Sequence, residues 1–246
     1  MTKQQDALLA VELMDLTSLN TSDTTKDIQA LINSIRPALG TPAAVCVFSD
    51  FVDDAKIALA ARELSHVKVA TVTNFPTGDA LLSDVINETL IAIDRGADEI
   101  DLVIPYKKLA AGDTQATLKY VSESKKACGT KAQLKVIIES GELKTESLIA
   151  QATELAIKGG ADFVKTSTGK VAINATLEST KVMLTTIKNS GKRVGFKAAG
   201  GVKTVADASE YLALARSIMS DDYLQATTFR FGASSLLSVV YKVLEK

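Results

Sequence analysis

Tryptophan is absent from this chain, histidine occurs once, cysteine twice and proline four times. Each scarcity removes a class of chemistry. With His66 as its only imidazole, the chain would have to build a catalytic transition-metal site almost wholly from carboxylates, so no metal is expected. His66 itself follows a helix-like stretch and precedes VKVATVT, which reads as a turn position rather than an active base. Cys46 and Cys128 are far apart and form no CxxC pair, so neither a disulfide framework nor a zinc site is implied, and reduced core thiols are expected. No block of five like charges occurs, and 28 Lys and Arg nearly cancel 29 Asp and Glu; a nucleic-acid groove and a polybasic membrane anchor are both disfavoured. There is no apolar run of about 18 residues. The stretch MTKQQDALLAVELMDL is interrupted by Glu12 and Asp15 and has no basic n-region or cleavage-like site, so a cytoplasmic protein is expected. Its expected partners are small molecules, with neither nucleic acid nor membrane; a homodimer is left open, because an interface leaves no clean mark in one sequence.

What the chain does have is alternation. Short β-branched runs recur at 12–17, 43–48, 67–73, 99–105, 133–139, 162–168, 193–200 and 228–234. Each but the last is followed by a segment with helical spacing, such as ALLSDVINETLIAIDRG or TESLIAQATELAIKGG, that ends at glycine. Eight strands alternating with helices over 246 residues predict a closed (β/α)8 parallel barrel, the TIM-barrel architecture. A doubly wound open sheet would carry an early glycine-rich nucleotide fingerprint, and none is present. With four prolines and no linker-like stretch, one domain over 1–246 is expected. An internal echo supports the barrel: RGADEIDLV (95–103) and GGADFVKTS (159–167) share a helix end, a Gly-Ala-Asp turn and a strand start, which aligns Asp101 with Lys165. On strands 4 and 6 the two charges would sit at one depth of the barrel interior.

Four lysines fall inside apolar strand-like runs: Lys68, Lys135, Lys165 and Lys197. Lys68 and Lys135 come early in their strands, which places them near the N-terminal face with access to solvent. Lys165 and Lys197 come late, before TSTG and AAGG, which places them at the C-terminal mouth where barrel active sites are built. The bland reading makes both of them rim residues that snorkel to water. Against it, lysines on adjacent strands 6 and 7, with backbones ~5 Å apart, each disfavour the other's charge, and a lowered amine pKa is what a Schiff-base nucleophile needs. The loops after strands 7 and 8 add glycines and hydroxyls, with Gly200 and Gly201 in AAGGVK and Gly232, Ser234 and Ser235 in FGASS. Barrels often bind phosphate at these two loops, and STGK would add Gly169 and Lys170. Any one of them alone would be an ordinary turn.

Taken in order, LMDLTSLN, AAVCVF, ATVTNFPTG, GADEIDLVIPY, LKVIIESGEL, GADFVKTSTGKV, VGFKAAGGVKT and RFGASSLL resemble the class I, Schiff-base deoxyribose-phosphate aldolases over nearly the whole chain. The resemblance implies reversible cleavage of 2-deoxy-D-ribose 5-phosphate to glyceraldehyde 3-phosphate and acetaldehyde, in deoxyribose phosphate catabolism, without a cofactor. It implies Lys165 as the Schiff-base lysine, Lys197 as the residue that tunes it, and Asp101 as a member of a proton relay. Gly169, Lys170, Gly200, Gly201, Gly232, Ser234 and Ser235 take the family's phosphate-binding positions. There are departures: Ala198 stands where the family often has proline, and Lys203 stands where arginine is frequent. The chain stops at Lys246 without the tyrosine-ended tail of some members, and its last tyrosine, Tyr241, lies inside a helix-like run and reads as packing. Cys46 matches a strand cysteine near the family's pocket, although between Val45 and Val47 it also reads as core. Two rival readings stand beside this one: another barrel-lysine phosphosugar enzyme, such as a transaldolase, and a non-catalytic phosphosugar-binding barrel.

Overall fold

In the computed structural model, which describes residues 2–246, eight parallel strands close on themselves in chain order, with the first paired to the last. They are β1 (Met14–Thr17), β2 (Ala44–Cys46), β3 (Lys68–Thr73), β4 (Glu99–Val103), β5 (Gln133–Ile137), β6 (Phe163–Lys165), β7 (Gly195–Ala199) and β8 (Phe229–Ala233). All eight fall within the runs read from sequence. The strands are trimmed at their ends because the barrel staggers them, and the residues beyond become the loops of the two faces.

The helices around the barrel are α1 (Lys3–Glu12), α2 (Thr25–Asn33), α3 (Val52–Ala60), α4 (Leu82–Asp94), α5 (Tyr106–Ala110), α6 (Thr114–Cys128), α7 (Ser140–Leu143), α8 (Glu146–Lys158), α9 (Leu177–Asn189), α10 (Val205–Ile218) and α11 (Leu236–Leu244). Two depart from the sequence reading. A helix does follow the eighth strand: α11 begins directly after Ser235, and it packs with α1 and α10. The apolar stretch at the N-terminus is itself helix α1, started by a capping box of Thr2 and Gln5. Capping boxes also start α9 at Thr176 with Ser179 and α10 at Thr204 with Asp207.

Because helices cover the outside and side chains fill the inside, the strands are buried on both faces and read as continuous apolar runs. The outward residues of the strands, among them Val45, Val69, Ile100, Leu102, Leu134, Val136, Val164 and Phe196, form one core with helix residues such as Ile28, Val85, Val121, Met183 and Leu212. A smaller apolar group of Leu19, Cys46, Ala70 and Val72, with Phe48 and Phe75 beside it, is packed separately from that core.

The repeated Gly-Ala-Asp turn does the same work twice. Gly96 and Gly160 take positive φ values of 95° and 94°, which reverse the chain after α4 and α8. The following aspartates then clamp the previous strand and helix. Asp98 Oδ2 accepts the Val69 amide at 2.7 Å and Lys56 Nζ at 2.5 Å, and Asp162 Oδ2 accepts the Leu134 amide at 2.7 Å and Lys125 Nζ at 2.6 Å. Each turn thereby sets the depth of the next strand, and so of Asp101 and Lys165.

Candidate active site

Seven ionisable side chains meet inside the barrel: Asp15 from β1, Glu99 and Asp101 from β4, Lys135 from β5, Lys165 from β6, Lys197 from β7 and Arg230 from β8. The echo read from sequence is realised as a contact, since Lys165 Nζ donates to Asp101 Oδ2 at 2.7 Å. Lys165 and Lys197 are register partners on adjacent strands. Lys197 donates to the same Asp101 oxygen at 2.8 Å and to Asp15 Oδ2. It is wholly buried, so the snorkelling-rim reading does not hold for it. Gly232 gives it room: a Cβ there would lie 3.1 Å from Lys197 Cε.

Lys135 is a correction. Placed by sequence near the N-terminal face with access to water, it is 0% exposed and bridges Glu99 Oε2 at 2.6 Å and Asp101 Oδ1 at 2.8 Å. Its strand position was read correctly, but its direction was not: the alternation that turns Leu134 and Val136 outward turns Lys135 inward. Lys68 is exposed, as read.

The burial that these charges share acts differently on each. Burial depresses Lys165, Asp101 opposes that, and the charge of Lys197 adds to the depression, so the ammonium form is held below the usual lysine range. Burial works against Lys197 too, but Asp101 and Asp15 outweigh it and raise its proton affinity. Lys135 is raised in the same way by Asp101 and Glu99 against burial. Asp15 and Asp101 are held below the carboxylate range, despite burial, by the cations around them. Lys165 is thus the one lysine of the group shifted toward the free amine.

Lys165, at the C-terminal end of β6, is also the member of the group that opens on a cavity of about 410 Å³ at the mouth of the barrel. Thr17, Ser18, Leu19, Asn20, Thr168, Gly169, Lys170, Ala199, Gly200, Gly232 and Ser234 line the same cavity. Of the positions expected to hold phosphate, Gly169, Lys170, Gly200, Gly232 and Ser234 therefore surround it, while Gly201 and Ser235 are exposed just beyond its lining. Gly200 has a φ of 77°, and a Cβ there would lie 2.6 Å from Asn174 Cβ, so only glycine fits. Lys170 spans the mouth, its Nζ donating to the Leu19 carbonyl at 2.7 Å. A larger hollow of about 660 Å³ lies at the opposite face and is lined by His66, Lys68, Glu99 and Arg230 among others; neither Lys165 nor Lys197 lines it.

Glu139, Asp15, Glu99 and Arg230 were not found by sequence reasoning. Glu139 sits just past β5 with a left-handed φ of 53° and is fully buried. Its carboxylate accepts the Thr168 hydroxyl at 2.6 Å and the Thr168 amide at 3.2 Å. Thr168 Oγ1 in turn accepts the Lys170 amide at 3.1 Å, so Glu139 anchors the loop that carries Gly169 and Lys170. The available signal was parity: Glu99 is two residues from Asp101, and Arg230 stands between Phe229 and Phe231 on a strand.

His66 lies in an exposed turn, as read, beside Thr41 Oγ1 at 3.2 Å. Cys46 is buried in the small apolar group, where burial pushes its thiol up to about 11. Tyr241 packs and bonds structurally, donating to the Gly40 carbonyl at 2.9 Å. Among the described residues no cluster of three His, Cys, Asp or Glu could hold a metal ion, and no helix is long and apolar enough to cross a membrane.

A deoxyribose-phosphate aldolase of Agrobacterium fabrum (strain C58) is 48% identical over 241 residues, spanning 98% of this chain and 92% of that protein. A solved structure of a candidate deoxyribose-phosphate aldolase from Toxoplasma gondii ME49, in its apo form, superposes with a TM-score of 0.91 at 25% identity, covering 99% of this chain and 97% of its own. The tetrameric deoxyribose phosphate aldolase of Aeropyrum pernix superposes with a TM-score of 0.76, also at 25% identity, over 98% of this chain and 96% of its own. The model of the DeoC/LacD family aldolases matches residues 9–241, and the chain belongs to that family.

Proposed function

We propose that the chain is a deoxyribose-phosphate aldolase that interconverts 2-deoxy-D-ribose 5-phosphate with glyceraldehyde 3-phosphate and acetaldehyde, using Lys165 as Schiff-base nucleophile. The observation that carries this reading is the union of two features in one side chain: Lys165 is the lysine of the buried group whose ammonium form is disfavoured, and it opens on the cavity at the mouth.

In cleavage, the Lys165 amine adds to C1 of the open-chain sugar aldehyde, and loss of water leaves an iminium. The C3 hydroxyl then loses its proton, the C2–C3 bond breaks, and its electrons move into the iminium to give an enamine. Glyceraldehyde 3-phosphate leaves. Protonation of the enamine at C2 and addition of water release acetaldehyde and the amine. Asp101 and Lys197, both in hydrogen-bond contact with each other or with Lys165, are the groups placed to move protons to the carbinolamine and enamine, directly or through one water. The phosphate belongs at Gly169, Gly200, Gly201, Gly232, Ser234, Ser235 and the start of α11, where backbone amides and a helix N-terminus favour an anion, with Lys170 at the edge. No cofactor enters any step. A cytoplasmic setting goes with the reading and is supported by two buried free thiols. A homodimer also goes with it, supported by the apolar Ile57, Leu90 and Ile91 left exposed on α3 and α4.

Borohydride reduction with acetaldehyde tests the chemistry. It should inactivate the protein and leave a two-carbon adduct on the peptide that contains Lys165. An adduct on Lys135 or Lys68 instead, or none, would overturn the assignment.

A further inference from the structure

The ion pairs inside the barrel are unequal in number. Asp15, Glu99 and Asp101 supply three carboxylates, while Lys135, Lys165, Lys197 and Arg230 supply four cationic groups. The set is nearly closed to solvent: Asp15, Asp101, Lys135 and Lys197 are 0% exposed, and Glu99 at 2%, Lys165 at 3% and Arg230 at 4% touch it only at the two ends, Lys165 at the mouth and the other two at the far hollow. Screening of an excess by solvent ions is weak there, and a buried unmatched charge either costs several kcal/mol or sheds its proton.

We propose that the floor of the barrel, formed by Arg230 with Glu99 and Asp15, sets the protonation of the reacting amine from a distance, because Arg230 holds one cationic position permanently and leaves Lys165 as the surplus one. The inference rests on the Schiff-base reading of Lys165. Geometry alone selects which cation loses its proton. Arginine does not deprotonate in proteins. Lys135 reaches three carboxylates, Glu99 at 2.6 Å, Asp101 at 2.8 Å and Asp15 at 3.5 Å. Lys197 reaches two, Asp15 and Asp101. Lys165 reaches only Asp101, at 2.7 Å, and the oxygen it uses is already shared with Lys197. Its proton is the least held of the three.

The route is continuous. Arg230 Nη2 donates to Glu99 Oε1 at 2.9 Å and Nη1 to Asp15 Oδ1 at 2.5 Å; the other oxygen of Asp15 takes Lys197, and Lys197 meets Asp101 at 2.8 Å. Arg230 lines the hollow at the far face, away from the cavity on which Lys165 opens, so it acts as a positioning residue. The other groups around Lys165 do not upset the balance. Cys46 on β2 is an uncharged thiol at neutral pH, raised by burial to about 11. Glu139, just past β5, binds Thr168 and is no ion-pair partner of Lys165; its charge reaches that amine only from farther off, and burial raises its own carboxyl, so it offsets the surplus less than the three paired carboxylates do. The directions of the lysine shifts agree, with Lys135 and Lys197 raised and Lys165 lowered.

The test is the pH dependence of trapping at Lys165 with acetaldehyde and borohydride, read by peptide mass. Arg230→Met removes one positive charge, so the ammonium form of Lys165 becomes easier to keep, and the acidic limb should move up by roughly one pH unit. Arg230→Lys keeps the charge and should leave the limb near that of the parent. Glu99→Gln, close to isosteric, removes a negative charge and should move the limb to lower pH; it carries the test if Arg230→Met does not fold. The double variant should return the limb toward the parent. Limbs unmoved in folded Arg230→Met and Glu99→Gln, or moved in the same direction in both, would overturn the inference. No adduct on Lys165 in the parent protein is a different result and would overturn the Schiff-base reading itself.

Discussion

Lys165 and Lys197 face each other across adjacent strands, are both buried, and are nevertheless shifted in opposite directions. The difference lies in their carboxylates: Lys197 has Asp15 as well as Asp101, whereas Lys165 shares one oxygen. An ordinary lysine would be free amine in well under about 1% of molecules at pH 7, and each unit of depression raises that fraction about tenfold. In Lys197→Met, which keeps length and loses charge, the pKa of Lys165 should rise, but not to the solution value, because burial is the larger cause and remains. Single-turnover trapping across pH should show the acidic limb at higher pH, most activity lost at pH 7 and part regained at pH 9. An unmoved limb with a uniform drop would make Lys197 a proton carrier only. That these two lysines matter was legible from their place late in their strands. That Lys135 lies among them was not, because depth along a strand can be read from order, whereas direction requires the register, and QLKVIIE alone does not fix which residues face in.

At the scale of elements, the candidate phosphate site depends on loops that a neighbouring loop holds in place. The segment from Thr166 to Thr176 is long and irregular, and Glu139 ties its Thr168 to the end of β5. Glu139→Ala removes two acceptors and leaves the Thr168 amide and hydroxyl unpaired in a buried place, a loss of about 1 to 3 kcal/mol. The cost should appear mainly as a raised KM for the phosphorylated sugar, with unphosphorylated deoxyribose affected much less. Ser234→Ala at the cavity wall should show the same selectivity, since a hydrogen bond to a charged group is worth roughly 1.5 to 3 kcal/mol. Equal losses on both substrates would assign Glu139 and Ser234 to the fold or the chemistry. The glycines of these loops were visible in the sequence because a positive φ demands them, as at Gly169 and Gly200. Glu139 was hidden because a glutamate in the left-handed region has no such mark, and its partner lies 29 residues away.

For the molecule as a whole, the barrel was legible because eight β-branched runs, each needing cover on both faces, admit few other closures. The helix after β8 was read only as a helix-like run around Tyr241, because SSLLSVVYKVLEK has no glycine to close it as the other segments do. The charged interior was missed because no local pattern announces it, and it makes the stability of the fold depend on pH. Asp15 and Asp101 have folded pKa values below their unfolded ones, so the stability they contribute is present above about pH 3.9 and is lost as pH falls from there through the folded values. Each such proton adds a slope of about 1.4 kcal/mol per pH unit in that window. Urea midpoints should therefore be nearly flat from pH 7 to 5 and fall steeply below about pH 4, with an unchanged m-value. Asp15→Asn should be destabilised at neutral pH by about 3 to 5 kcal/mol, because Lys197 and Arg230 each lose a counter-charge in a buried place. Its acid slope should also be shallower than that of the parent, since one of the two protons is gone. A parent midpoint that stays level down to pH 2.5, or an Asp15→Asn slope as steep as the parent's, would mean that the acid sensitivity of the fold resides elsewhere than in the barrel's interior.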